Sequence, residues 1–292
     1  VCIKVFSDYI REWDKPMLKA EIDEAAKVTD SEKYTKASWD AFTEKRGFAE
    51  WIFAHLDTLE EETGETWTEA EKKNLILRQV MDLRAARMAL APAEIYIKNP
   101  AEFENFAHMV SSGADYEGQT VRLMQDLDMS GISHHPVGSG QAAFEGTFDG
   151  GGHSIVNLEN EYEYGYSGLF ALIGEKGTVK NLKLTEVEFV FKEWLAGGIA
   201  AENRGTISGC QIEGNILFDC AGFQLGGLAG SNKGTIEESS LNGKVTFSAA
   251  TGASSGYYVG GLMGNNWGNI SKCFIEGQIV SDSNASTGGI VG

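Results

Sequence analysis

Gly197-Gly198-Ile199-Ala200-Ala201-Glu202-Asn203-Arg204-Gly205-Thr206-Ile207-Ser208-Gly209-Cys210-Gln211-Ile212 is a phrase that the chain repeats. Its opening returns as Gly226-Gly227-Leu228, Gly260-Gly261-Leu262 and Gly288-Gly289-Ile290, with the second glycines 29, 34 and 28 residues apart. Counted from those glycines, asparagine recurs five residues on (Asn203, Asn232, Asn266) and glycine seven on (Gly205, Gly234, Gly268). Isoleucine follows at nine (Ile207, Ile236, Ile270), and Cys210, Ser239 and Cys273 share position twelve. Beyond them Ile212, Leu241 and Ile275, then Gly214, Gly243 and Gly277, then Ile216, Val245 and Ile279 alternate with polar residues, the period of a strand with one buried face. A period near 30 residues predicts a solenoid, in which no unit buries its apolar side alone. The expected fold is a right-handed parallel β-helix whose rungs stack at about 4.8 Å. Equivalent residues then stack on themselves, which predicts an asparagine ladder at one corner and a Cys-Ser-Cys file inside. The asparagines and glycines between strands are expected to turn that corner with left-handed backbone angles.

The repeat fades upstream but stays legible. Gly168-Leu169-Phe170 matches the anchor, and Gly177-Thr178-Val179 matches Gly205-Thr206-Ile207 with two residues inserted. Phe144 to Ile155 reads strand, tight turn, strand, and Val121 to Asp128 alternates as another strand. Pro100 to Ser112 reads as a short helix with Phe103, Phe106, Ala107 and Val110 on one face, placed to cap the open end of the solenoid.

These residues carry a resemblance. The run from Asn99 to Gly292 resembles the GLUG-motif β-solenoids of Gram-positive surface proteins, and is similar to the solenoid region of IgA1-protease-like zinc peptidases. The shared phrases are Asp126-Leu127-Asp128, Pro136-Val137-Gly138, Phe144 through Ile155, Gly168-Leu169-Phe170 and the Gly-Gly-Leu units. Ala171-Leu172 and the missing asparagine before Gly177 depart from the pattern in the first unit.

The amino-terminal third is made of other material. Residues 1–92 hold two of the 36 glycines, so a domain boundary is expected near Ala91-Pro92-Ala93, giving domains 1–92 and 93–292. Three helices are expected. One starts at Asp14 and Pro16 and carries Leu18, Ile22 and Ala25-Ala26. A second runs from Lys36 and carries Trp39, Phe42, Ile52, Phe53, Leu56 and Leu59. The third opens on a capping box, Thr68-Glu69-Ala70-Glu71, and carries Leu75, Ile76, Val80, Leu83 and Leu90. Short connections predict an antiparallel three-helix bundle, so the whole is an α + β chain of two domains. Leu18 to Leu90 resembles the FIVAR module of cell-wall-attached proteins through Tyr34-Thr35 and Ser38-Trp39. Trp51, Trp67 and His55 are expected in its core or between its helices.

The net charge is −18. Residues 1–92 contain 14 basic and 19 acidic side chains, the remainder 10 and 23, so both parts are acidic. Nucleic acid and anionic membranes are poor partners for such surfaces. No apolar run is long enough for a membrane span. The chain breaks off inside a repeat, and we expect a segment of a longer exported protein, secreted or attached to the cell wall, and monomeric. Cys210 and Cys273 lie two rungs apart, too far for a disulfide, and read as small apolar packers; Cys2 and Cys220 have no evident mates.

Motifs for chemistry are thin. His134-His135, Asp126, Asp128 and His153 lack zinc-site spacing, and Asp149 in Phe-Asp-Gly-Gly-Gly is explained by a turn. Glu213 and Glu276 share a rung position, but Asn242 interrupts that acidic file. No catalytic residue, metal or cofactor is expected, and the chain reads as a non-enzyme. Aromatic residues beside the repeats are the better lead. The candidates are Tyr162, Tyr164 and Tyr166, Trp194, Tyr257, Tyr258 and Trp267, as anchors for proteins or sugars. The expected role is adhesion, with a host glycoprotein, immunoglobulin or glycan as partner. The alternative is an accessory or spacer region of a secreted protease or glycosidase whose catalytic domain lies elsewhere.

Overall fold

The structure, a computed structural model, describes residues 15–162, 165–191, 195–220, 224–249, 258–281 and 286–292. It divides into two compact units, Val1–Ala93 and Glu94–Gly292.

In the first unit, helix α1 covers residues 15–26, followed by α2 (Lys36–His55), α3 (Leu59–Thr63) and α4 (Glu69–Met88). Its predicted start, Asp14, lies outside the described residues. The expected second helix is in fact two. It closes at His55, and a separate turn runs to Thr63, where Gly64 adopts a left-handed φ of 70° and ends it. The capping box is present: Thr68 Oγ1 accepts from Glu71 N, and the Glu71 carboxylate accepts from Thr68 N at 2.8 Å. One core joins Leu18, Ile22 and Ala25 of α1 to Phe42, Ala49 and Ile52 of α2 and to Ile76, Val80 and Leu83 of α4. Trp51 is not part of it. Ile52 takes the inward position, and Trp51 stacks at the surface between Phe48 and His55, with ring centroids 6.3 and 5.0 Å apart. Glu21 is the buried charged residue among this unit's described residues, alongside buried Thr35 and Gln79. Its carboxylate, 4% exposed, accepts from Arg84 Nε at 2.9 Å and from Arg87 Nη2 at 2.8 Å, fastening α1 to α4.

The second unit is a parallel β-solenoid with four faces. One complete rung runs Thr206–Ser208 (face 1), Gln211–Cys220 (face 2), Gln224–Gly226 (face 3) and Ala229–Asn232 (face 4). Among the described residues, stacking rungs build sheets of seven, six, five and four strands on faces 1 to 4. The strand pairing matches the sequence alignment residue for residue: Asn232 lies between Asn203 and Asn266, Ile236 between Ile207 and Ile270, and Gly243 beside Gly277. Inward residues Ile207, Cys210, Ile212, Ile216 and Phe218 are buried, and Phe218 stacks on Phe247 at 5.1 Å.

The asparagine ladder exists. Asn203 Nδ2 donates to Asn232 Oδ1 at 2.8 Å, and Asn232 Nδ2 donates to Asn266 Oδ1 at 2.7 Å. The left-handed residues, however, lie elsewhere than expected. One file of them, Asn181, Gly209, Glu238 and Lys272, turns the corner between faces 1 and 2, and another, Asn157, Glu186 and Gly214, lies within the face 2 strands. The glycines at 205, 234 and 268 are required by proximity: a Cβ on any of them would run into the carbonyl oxygen of the glycine one rung before. The Gly-Gly anchors face the opposite way, since a Cβ on Gly198, Gly227 or Gly261 would meet the carbonyl of the following rung. The file Cys210, Ser239, Cys273 runs inside, with both cysteines free.

Helix α5 (Pro100–Ser111) starts on Asn99, whose side chain accepts from Glu102 N at 2.9 Å, with proline in the first turn. Its apolar face, Phe103, Phe106, Ala107 and Val110, enters the solenoid core at the first turns. There Phe103 and Phe106 meet Phe148 at 6.1 and 5.8 Å, and Phe106 meets Phe144 edge-on at 5.6 Å.

Candidate ligand-binding surface

The aromatic candidates divide between two places. Tyr162 ends the strand Ser154–Tyr162 on face 2, while Tyr166 and Tyr258 open the face 3 strands Tyr166–Ser167 and Tyr258–Gly260. Tyr162 and Tyr166 flank the connection between faces 2 and 3 in one rung, and Tyr258 borders it in a later rung. Tyr164, Trp194 and Tyr257 belong to that connection by sequence and lie outside the described residues. Along face 3, Tyr166 pairs with Leu195, Leu195 with Gln224 and Gln224 with Tyr258. Tyr166 and Tyr258 are therefore three rungs, about 14 Å, apart and do not form one patch. Trp267 stands at the other corner, between faces 4 and 1, where its N–H donates to Asn232 O at 2.8 Å and its side chain is 76% exposed.

Tyr166 is the candidate with the most developed surroundings. Its hydroxyl donates to Glu202 Oε2 at 3.3 Å. Glu202 is itself buried, and its Oε1 accepts from Arg204 Nε at 2.7 Å and Lys233 Nζ at 2.8 Å. Burial pushes this carboxyl up, but the hydrogen bonds and charges of Arg204 and Lys233 outweigh it and hold it below the usual range. Burial, with the Glu202 charge behind it, raises the Tyr166 phenol. The other side of Tyr166 faces a cleft of about 480 Å³ lined by α5 residues Glu104, His108 and Ser111 and by the loop from His135 to Gln141.

Both walls of this cleft are fixed. Val137 N donates to Leu169 O and Ala171 N to Val137 O, at 2.9 and 3.0 Å, so the loop extends face 4. Ser139 and Ala142 close a tight turn on each other, and a Cβ at Gly140 would touch the Tyr166 ring. Ser111 Oγ lies 3.2 Å from Gly138 O, and Glu104 accepts from His135 N at 3.4 Å. His134 is buried beneath, its Nδ1 2.6 Å from Glu104 and its Nε2 3.3 Å from Leu169 O.

The histidine and aspartate set considered for a metal is dispersed. His153 Nδ1 faces Asp126 at 3.4 Å, Asp128 holds Ser130 and Asn157, and His134 is occupied as described. Among the described residues no three His, Cys, Asp or Glu side chains are gathered for a metal ion. Asp149 has a structural setting. Burial raises its carboxyl, but the hydrogen bonds from Asn181 and Gly151 N, with Lys180 and Arg122, bring it below its ordinary value. Glu213 pairs with Lys183 at 3.1 Å. Burial pushes the Cys210 thiol up to about 12, which removes it as a nucleophile at neutral pH. Among the described residues no helix is long and apolar enough to cross a membrane.

No family model matches the chain. Over 128 residues, 40% of its length, it is 33% identical to a candidate Gly-rich membrane protein of Evansella cellulosilytica. The matched chain spans about 15% of the length of that curated relative. The crystal structure of a candidate immunoglobulin A1 protease from Bacteroides ovatus superposes with a TM-score of 0.50 at 20% identity, over 68% of this chain and 71% of that one. That likeness is one of fold: a parallel β-solenoid is common to both.

Proposed function

We propose that this chain is a non-catalytic segment of a bacterial cell-surface protein that acts in adhesion, its solenoid displaying ligand-binding surface and its amino-terminal helices forming a FIVAR-like antiparallel bundle. The solenoid is read as a right-handed β-helix of the GLUG type, exposed outside the cell. The partner is a host glycoprotein, an immunoglobulin or a glycan. The observation that carries this reading is where the built features fall. The repeat positions are consumed by stacking, whereas the cleft beside Tyr166 stands open at the surface. The similarity to a Gly-rich membrane protein supports a place at the cell envelope.

The test is binding of the whole chain to immobilised mucin, immunoglobulin and a glycan panel, with Tyr258→Ala and Trp267→Ala beside the wild type. Micromolar or tighter binding to one class supports adhesion, and a blank across all three sinks it. A second reading has one observation of its own, the fold shared with a candidate immunoglobulin A1 protease. On that reading the segment is a spacer beside a catalytic domain, and a zinc-peptidase motif elsewhere in the same gene would favour it.

A further inference from the structure

The cleft between α5 and the 135–141 loop combines three properties that together select a ligand. First, it has polar groups without partners. The imidazole of His108 makes no hydrogen bond to the described residues, and the ring Nδ1 of His135, exposed at the rim, is 3.9 Å from Glu104, beyond hydrogen-bond distance. Second, it has a fixed carboxylate: Glu104 is held from beneath by buried His134 and by the backbone of His135, leaving it 22% exposed toward the cleft. Third, Tyr166 forms one wall and is clamped by Glu202 and by the glycine loop.

Each property excludes something. Among the described residues lysine and arginine are missing from the lining, and the carboxylate and the chain's charge of −18 both repel anions. An extended peptide needs a free strand edge or deep apolar pockets. Here the backbone of Val137 and Ala171 is already paired, and Pro136 and Ala171 are the aliphatic residues among the described lining. What remains is a ligand rich in hydroxyls, without negative charge, and with one apolar face. We propose that the cleft binds a neutral glycan, seating one or two sugar residues. The volume, within the roughly 300–1,000 Å³ of small-molecule sites, suits that size. Glu104 accepts from vicinal hydroxyls, His108 and His135 bond the neighbouring ones, and the Tyr166 ring meets the C–H face. Because the walls are already tied to each other, binding orders little new structure.

This inference rests on the adhesion reading and narrows it to one site and one chemistry. The experiment uses the whole chain with methyl β-galactoside, methyl N-acetyl-β-glucosaminide and lactose as probes, followed by saturation-transfer NMR and isothermal titration, with 3′-sialyllactose and an unglycosylated mucin peptide as controls. At least one neutral probe is expected to bind in the millimolar range, with His108→Ala and His135→Ala each weakening it tenfold or more. Both residues are exposed, so the melting temperature of these variants is expected to match the wild type. Binding that both variants retain in full overturns the site, and preference for the sialylated probe or the bare peptide overturns the ligand class. If the chain captures mucin or immunoglobulin while every neutral sugar fails, the glycan cleft falls and adhesion stands. If both assays are blank, both fall.

Discussion

Asn203 exposes the asymmetry of a ladder built from identical side chains. Each amide donates to the next rung, so the first must find its own donor. In the preceding turn its place is taken by Ile173, and Asn203 Oδ1 is buried with no hydrogen bond. The middle rung has the most to lose, because Asn232 both accepts from Asn203 and donates to Asn266. Asn232→Ala is expected to destabilise the solenoid by about 3 kcal/mol, and Asn266→Ala, half-buried at the ladder's end, by about 1 kcal/mol. Urea midpoints for the two variants check this, and equal losses would mean that the ladder is not cooperative. Glu202 supplies a pH signature. Its folded carboxyl lies below the unfolded one, so its stabilisation is complete above the ordinary carboxylate range and is lost as pH falls through the folded value. Melting temperature should drop between about pH 5 and pH 3 in the wild type and drop less steeply in Glu202→Gln, which is weaker at neutral pH from the start.

At the scale of elements, the chain divides into what repetition reveals and what it hides. The register of the repeat was legible because each position is written several times: Ile207, Ile236 and Ile270 identify one another as a file before any coordinate is known. The same abundance misassigned the glycines. A glycine needed for close approach and one needed for a left-handed turn look alike in a sequence, and only the stacked carbonyls tell Gly205 from Gly209. Features written once were hidden. The break after His55 has no proline or glycine to announce it, and Glu21 looks like any surface acid of α1 although it is buried. The cleft draws on residues near 104–111, 135–141 and 166, three segments with no shared period, and of these Tyr166 alone stood out as a binding candidate. Glu21 gives the element-scale prediction. Arg87→Ala leaves part of a buried carboxylate unpaired and should destabilise the helical unit by roughly 2 kcal/mol, with Arg84 retaining the remainder. Circular dichroism at 222 nm follows this unit, and a variant as stable as the wild type would show that the pair is dispensable.

At the scale of the whole molecule, the solenoid is a one-dimensional object whose sheets all run the same way. Every inter-rung hydrogen bond lies close to the stacking axis, and successive rungs are joined covalently by a single strand of chain. The consequence is mechanical. A pull applied between the two ends of the solenoid loads one rung interface at a time, like peeling tape, instead of shearing many bonds together. Extension should be released in steps of one repeat, about 29 residues and roughly 100 Å of contour, in line with the spacing of the Gly-Gly anchors. Optical-trap traces of the chain held at residues 94 and 292 would display that staircase, and a single cooperative rip would refute it. A solenoid that yields rung by rung dissipates load while keeping the far end attached, a property that rests on one parallel rung-to-rung interface bearing the load at a time.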